Sequence, residues 1–167
     1  MGHKEHKAQS PSVVNCVVVT VSDTRTEETD TSGALIRKLL AEQGHRVVAS
    51  HRVTDEPAEI RKLLDAVAQN PEVQVAILNG GTGISKRDGT HEAVSGLLEK
   101  RLDGFGELFR YLSYQEIGSA AMMSRAIAGT YRGRIVISIP GSEAAVRLAM
   151  EKIILPELGH LVREVTR

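Results

Sequence analysis

Residues 73–90 read VQVAILNGGTGISKRDGT. Val73, Val75, Ala76, Ile77 and Leu78 form a short apolar run of the strand type. The run passes directly into Asn79-Gly80-Gly81-Thr82-Gly83, and Thr90 then opens a helix with Val94, Leu97 and Leu98 on its inward side. A strand, a glycine-rich loop and a helix in succession place the loop at the carboxyl end of a strand, where open α/β sheets bind their ligands.

The alternation extends in both directions. Upstream, the run 13–21 is β-branched and nearly continuous, as expected of a strand covered on both faces of a parallel sheet. Ser22-Asp23-Thr24 follows as a polar turn. Thr31 or Ser32 then starts a helix with Leu35, Ile36, Leu39 and Leu40 on one face and Gly44 as its stop. A more polar strand spans 46–53, nearer an edge of the sheet. Asp55 is placed to cap the next helix, which carries Pro57 in its first turn, Ile60, Leu63, Leu64 and Val67 inward, and a break at Asn70-Pro71. Downstream, 105–117 and 120–128 read as helical, 134–139 as a fourth strand, and 143–165 as helix interrupted near Pro156. Strands alternating with helices predict a doubly wound, three-layer α/β/α sandwich with a mostly parallel sheet. The expected organisation is a flexible tail over 1–12 and a single domain over 13–167.

Bulk properties narrow the function. A chain of 167 residues fits one domain. Its 21 Lys plus Arg balance 21 Asp plus Glu, so the broad positive field that nucleic acid or anionic membrane demands is missing. Aromatics at 3% argue against a base-stacking surface. No apolar run reaches the ~18 residues of a membrane span, and the tail has no signal-peptide core. His6 stands where a myristoylation signal requires Ser or Thr. A cytoplasmic protein with neither nucleic acid nor membrane as partner is expected. The lone Cys16 lies inside the first strand and reads as a small core hydrophobe, not a nucleophile. His3 and His6 offer at most a weak metal site on a solvated tail, and His45, His51, His91 and His160 lack metal-ligand spacing.

The chemistry is expected on the rim formed by the strand ends: Ser22 to Arg25, Asp55, the segment 79–90, and Pro140-Gly141-Ser142. Gly80, Gly81 and Gly83 let the backbone approach a ligand closely. Successive amides in such a loop form a nest for phosphate oxygens. Thr82 and Ser85 add hydroxyls, and Lys86 and Arg87 add positive charge. Asp88, a carboxylate beside a phosphate site, suits a bridging Mg²⁺ or the positioning of a proton or water. The loop is neither a Walker A sequence nor GxGxxG, since Lys86 occupies the third glycine position. Ser142 is either part of a second anion site or a helix cap. Asp55 is either a cap or a rim acid. No Ser-His-Asp or Cys-His arrangement is visible.

Seven stretches carry a resemblance: TVSDTR at 20–25, DTSGALI at 30–36, NGGTGISKRDGTHEA at 79–93, DGFGELFR at 103–110, SRAIAG at 124–129, IPGSEAAVRLA at 139–149 and ILPELGHLV at 154–162. In this order they resemble the molybdenum cofactor biosynthesis B/MogA family, related to the G domains of gephyrin and its plant counterpart. The segment 107–118 and the ending 156–162 are closer to the B branch. Asn79 replaces the usual Thr, Gly89 a commoner Val, and Ile139 the usual Leu before Pro-Gly.

The resemblance implies a homotrimer or hexamer that binds molybdopterin and uses Mg-ATP to adenylylate its terminal phosphate, releasing diphosphate. Other cofactor-biosynthesis enzymes are implied partners. Carried over by motif, Asp88 and Asp55 become the important acids, with Asp88 as the Mg²⁺ ligand. Gly80, Gly81, Thr82 and Gly83 become the ligand loop, with Lys86 or Arg87 on phosphate. Ser22, Ser124, Gly141 and Ser142 become further pocket positions. A non-catalytic molybdopterin carrier on the same scaffold is the alternative, and an oligomeric scaffold without a formed pocket is a third.

Overall fold

The computed structural model describes residues 2–167; Met1, the first residue of the expected tail, lies outside the described residues. The central sheet has six strands: β1 (Asn15–Val21), β2 (Arg46–Val53), β3 (Val75–Asn79), β4 (Lys100–Arg101), β5 (Ile127–Tyr131) and β6 (Arg134–Ile139). They lie side by side in the order β2-β1-β3-β6-β5-β4. The first four in that order are parallel, and β5 and β4 are antiparallel additions at one edge. The helices are α1 (His3–Ala8), α2 (Thr31–Glu42), α3 (Pro57–Gln69), α4 (Thr90–Leu97), α5 (Asp103–Ile117), α6 (Glu143–Ala149) and α7 (Leu155–Thr166).

Alternating side chains of the central strands feed two cores, which makes the sandwich doubly wound. Cys16, Val18, Val75, Ile77, Ile135, Ile137 and Ile139 meet α2, α5, α6 and α7 on one face. Val17, Val19, Val21, Ala76, Leu78 and Val136 meet α3 and α4 on the other. Because β1 and β3 are buried on both sides, their sequences run apolar without alternation. The edge strand β2 is partly exposed, and its sequence is correspondingly more polar.

Three local expectations are corrected. Segment 120–128 is not a helix: Gly118–Met123 forms a 3₁₀ turn and β5 follows. Arg132 (φ 47°) and Gly133 (φ 76°) make the tight turn that pairs β5 with β6. The helix α3 starts after Glu56, and Asp55 does not cap it. The expected interruption of the C-terminal helix near Pro156 is present just before it, and Pro156 itself sits in the first turn of α7. Pro156 has no N–H for the carbonyl one turn back, and the chain instead widens into a π turn over Met150–Ile154. Finally, the tail carries the short helix α1, tied to α7 by Lys7 Nζ–Glu157 Oε1 at 2.7 Å and Arg163 Nη2 donating to Gln9 Oε1 at 3.0 Å. Residues with no apolar core of their own gain structure there from a charged partner helix.

Candidate functional site

The strand order reverses between β1 and β3. The chain leaves β1 toward β2 on one side, while β3 continues the sheet toward β6 on the other. The two connections diverge there and open a crevice beyond the carboxyl ends. A cleft of about 450 Å³ occupies this point, lined by Ser22, Arg25, Gly80, Gly81, Thr82, Gly83, Asp88, Ser124, Gly141 and Ser142, with Phe109 and Ile117 among its apolar walls. Of the residues expected at the site, Asp55, Ser85, Lys86 and Arg87 fall outside this lining.

The loop's shape depends on two glycines. Gly80 (φ 104°) and Gly81 (φ 67°) adopt left-handed backbone conformations. A Cβ on Gly80 would run into the Val21 carbonyl oxygen, and one on Gly81 into Thr90 Oγ1 and Asp55 Oδ2. Gly80 N–H donates to the Ile139 carbonyl at 3.0 Å, which registers the loop against the end of β6. Asp88 closes the far side, where Ser85 N–H donates to Asp88 Oδ2 at 2.9 Å and Asp88 N–H returns to the Ser85 carbonyl at 3.1 Å. The other Asp88 oxygen remains available at the cleft.

Asp55 lies beneath the loop and is buried. Its Oδ1 accepts from Gly89 N–H at 3.0 Å and from Thr90 Oγ1 at 3.4 Å. Burial pushes its carboxyl above the ordinary value of 3.8, opposed by the Gly89 hydrogen bond and assisted by the neighbouring Asp88 charge. Asp55 thus positions the loop and the start of α4 instead of facing the cleft. Arg87 is also turned away: Nε and Nη2 bind Asp23 at 2.9 Å, and Nη1 binds Glu56 at 2.6 Å. The Asp55 N–H, and after it the Arg87 guanidinium, hold the Asp23 carboxyl below 3.8. Lys86 is exposed and outside the lining.

Two arginines complete the site: Arg25, the last residue of the rim segment expected at 22–25, and Arg125, which spacing did not single out. Arg25 lines the cleft, donates from Nη2 to the Gly141 carbonyl at 2.9 Å, and lies 3.9 Å from the buried Asp30. Arg125 clamps the loop, its guanidinium reaching the carbonyls of Thr82 (3.3 Å), Asp88 (3.0 Å) and Gly83, while Glu92 binds the same side chain. Both arginines fall inside the motif stretches at 20–25 and 124–129, which was the available signal. Behind the cleft, Asn79 Nδ2 donates to Thr20 Oγ1 at 3.1 Å and Thr20 Oγ1 donates to Asp30 Oδ2 at 2.6 Å. Asp30 Oδ1 accepts from Gly33 N–H at 2.9 Å, so Asp30 is the cap of α2.

The Gly141-Ser142 turn joins this assembly. The Gly141 carbonyl accepts from Ser32 Oγ at 2.6 Å as well as from Arg25. Ser142 Oγ accepts from Ala145 N–H at 3.2 Å, which makes it the cap of α6, and it also lines the cleft. Ser22 Oγ accepts from Arg25 N–H at 3.0 Å and holds the β1 turn closed. Ser124, by contrast, lines the cleft, and its buried Oγ has no hydrogen-bond partner among the described residues.

A family profile described as "Probable molybdopterin binding domain" matches residues 17–160. Molybdenum cofactor biosynthesis protein B of Bacillus cereus is 55% identical over 100% of this chain and 99% of its own. That of Bacillus subtilis is 51% identical with the same coverage. A crystal structure of a molybdenum cofactor biosynthesis protein B superimposes with a TM-score of 0.91 at 56% identity, covering 95% of this chain and 99% of that one. The tungsten cofactor synthesizing protein MoaB of Pyrococcus furiosus follows at 0.83 and 36%, covering 95% and 100%. The cleft at the strand-order reversal thus sits in a fold and sequence shared with these proteins along almost the whole chain, and the chain belongs to the molybdopterin-binding-domain family of molybdenum cofactor biosynthesis proteins.

Proposed function

We propose that this chain binds molybdopterin in the cleft between β1 and β3 and adenylylates its terminal phosphate with Mg-ATP. The observation that carries the reading is the convergence of three distant segments on one cleft: the 80–83 backbone loop, the Arg25 guanidinium and the unpartnered Ser124 hydroxyl. In this reading the amides of Gly81, Thr82 and Gly83 hold phosphate oxygens, and Arg25 supplies the positive charge first assigned to Lys86 or Arg87. Ser124 hydrogen-bonds the ligand. A terminal phosphate oxygen of the pterin attacks the α-phosphorus of ATP, the bond to the bridging oxygen breaks, and diphosphate leaves. Charge accumulates on the oxygens around phosphorus, so positioning and electrostatics supply the catalysis.

Asp88 is the one carboxylate in the lining among the described residues, and with one oxygen uncommitted it suits Mg²⁺. Mg²⁺ sites of nucleotide enzymes commonly use one or two carboxylates plus substrate phosphates. The ion would neutralise charge on the phosphates. Asp55 acts through the loop, by holding Gly89 and Thr90. A homotrimer or hexamer accompanies the reading, with an exposed apolar stripe of Leu108, Tyr111, Tyr114, Ile117, Met122 and Met123 as its supporting feature.

A second reading, a molybdopterin carrier without transferase activity, is favoured by one observation. The cleft volume of about 450 Å³ suits one medium-sized ligand more readily than two. Purified protein mixed with molybdopterin and Mg-ATP separates the readings. Release of diphosphate together with AMP-molybdopterin supports transfer, with Asp88→Asn losing the rate but retaining pterin affinity and melting temperature. Pterin binding with neither ATP binding nor diphosphate release establishes the carrier.

A further inference from the structure

Far from the cleft, the junction of α1 and α7 gathers five metal-ligating side chains. His3 and His6 lie three apart on α1, and Glu157, His160 and Glu164 lie at intervals of three and four on α7, so each set shares one helix face. The ligand atoms of His6, His160 and Glu164 all lie within 4.8 Å of one another, and so do those of His3, Glu157 and His160. His6 Nδ1 is 3.5 Å from Glu164 Oε1, and His160 Nε2 is 3.9 Å from the same oxygen. Meanwhile His160 Nδ1 is 2.9 Å from Glu157 Oε2.

We infer that His6, His160 and Glu164 bind one divalent first-row transition-metal ion of the Zn²⁺ class, which clips the N-terminal segment to the C-terminal helix. Two imidazoles and a carboxylate are the donor set that such ions take, with further positions left to water. The tautomer chooses between the two triads. A neutral imidazole has one N–H and one lone pair. With the His160 Nδ1–H directed at Glu157, the lone pair is on Nε2, on the Glu164 side. Glu157 then orients the ring, as carboxylates commonly do for metal-bound histidines. Because only one lone pair is available, the triads are alternatives and a single ion binds. Tetrahedral ligands lie roughly 3.4 Å apart for bonds of about 2.0–2.1 Å, so small side-chain rotations close the site. The nearby cations Lys7, on Glu157, and Arg163 and Arg167, on Glu164, compete with the ion and moderate its affinity.

The test is calorimetric titration of the full-length protein with Zn²⁺ alone, repeated with Mg²⁺, alongside Co²⁺ absorption and hydrogen exchange. Expected are one Zn²⁺ per chain, Co²⁺ d–d bands, slowed exchange of residues 3–10, and no Mg²⁺ effect there. His6→Gln and His160→Gln should each lower Zn²⁺ affinity at least about tenfold, while Asp88→Asn and His3→Gln titrate like the original chain. Neither histidine belongs to the cleft, and the unliganded melting temperature of each variant, measured alongside, separates loss of the ion from loss of the α1–α7 packing. The inference is overturned if no Zn²⁺ binds, if His160→Gln binds unchanged, or if His3→Gln abolishes binding while His6→Gln does not. These outcomes are independent of whether AMP transfer occurs.

Discussion

Replacing Arg125 with Gln removes the clamp on the 80–89 loop without touching the cleft's lining. The guanidinium gives up its bonds to the Thr82, Gly83 and Asp88 carbonyls and its pair with Glu92. A hydrogen bond from a charged donor contributes about 1.5–3 kcal/mol net when buried. These carbonyls can regain water, so about 0.5–1 kcal/mol each is appropriate, and the exposed Glu92 pair adds about 0–1 kcal/mol. These contributions sum to about 1.5–4 kcal/mol, centred on about 2–3 kcal/mol. Hydrogen exchange at Gly89 and Thr90, whose amides bond to Asp55 and to the Gly81 carbonyl, should therefore accelerate by roughly 30–150-fold. The melting temperature should fall by no more than about 4–12 °C for a chain of this size. Glu92 provides an independent readout. Its hydrogen bond from Arg125 holds its carboxyl below the ordinary value of 4.5, against the opposing effect of burial. A depressed acid contributes stability that is present above its unfolded value and is lost as pH falls through the folded one. In Arg125→Gln the Glu92 carboxyl should titrate closer to 4.5, and that acid-side loss of stability should shrink. Unchanged exchange at Gly89 and Thr90 together with an unchanged Glu92 titration would refute the clamp.

Gly81→Ala should destabilise the protein by at least about 1–2 kcal/mol from its left-handed backbone alone, with further loss from crowding Thr90 and Asp55, measured by urea unfolding. Molybdopterin affinity should fall in the same variant. Cys16, whose thiol is pushed up to about 12 by burial, should resist iodoacetamide at neutral pH in the folded protein and react once denatured. The exposed stripe on and after α5 should make the protein a trimer or hexamer by light scattering, and Tyr111→Glu should shift it toward monomer.

Some of this molecule is determined locally, and that part can be read from the chain. β1 and β3 are buried on both faces, so apart from the hydrogen-bonded Thr20 and Asn79 near their carboxyl ends their buried residues are apolar, and strand runs ending in polar or glycine-rich turns announce themselves. The same logic identifies α2 and α3 from their inward faces and puts the binding rim at Ser22, Gly80, Gly81, Gly83 and Ser142, because parallel α/β chains fix which strand end faces a ligand. Elsewhere local preference points the wrong way. Residues 120–128 are rich in alanine and methionine, which favours helix, yet Ile127 and Ala128 join the sheet because β6 offers an unpaired edge after the Arg132-Gly133 turn.

Side-chain direction was the other thing sequence left open. Lys86 and Arg87 sit beside the glycine loop in the chain, but Asp23 and Glu56, brought up from two other strand ends, turn Arg87 outward. Arg25 reaches the cleft and Arg125 the back of its loop, for reasons that depend on carbonyls contributed by distant segments. Asp55 could cap a helix or serve the loop, and only the approach of Gly89 and Thr90 decides for the loop. His3 and His6 are more than 150 residues from His160, so no spacing rule could join them; the packing of α1 against α7 does. Burial patterns and backbone turns depend on neighbours along the chain and are therefore written in it. Which charge meets which depends on elements that become neighbours only after the sheet has assembled.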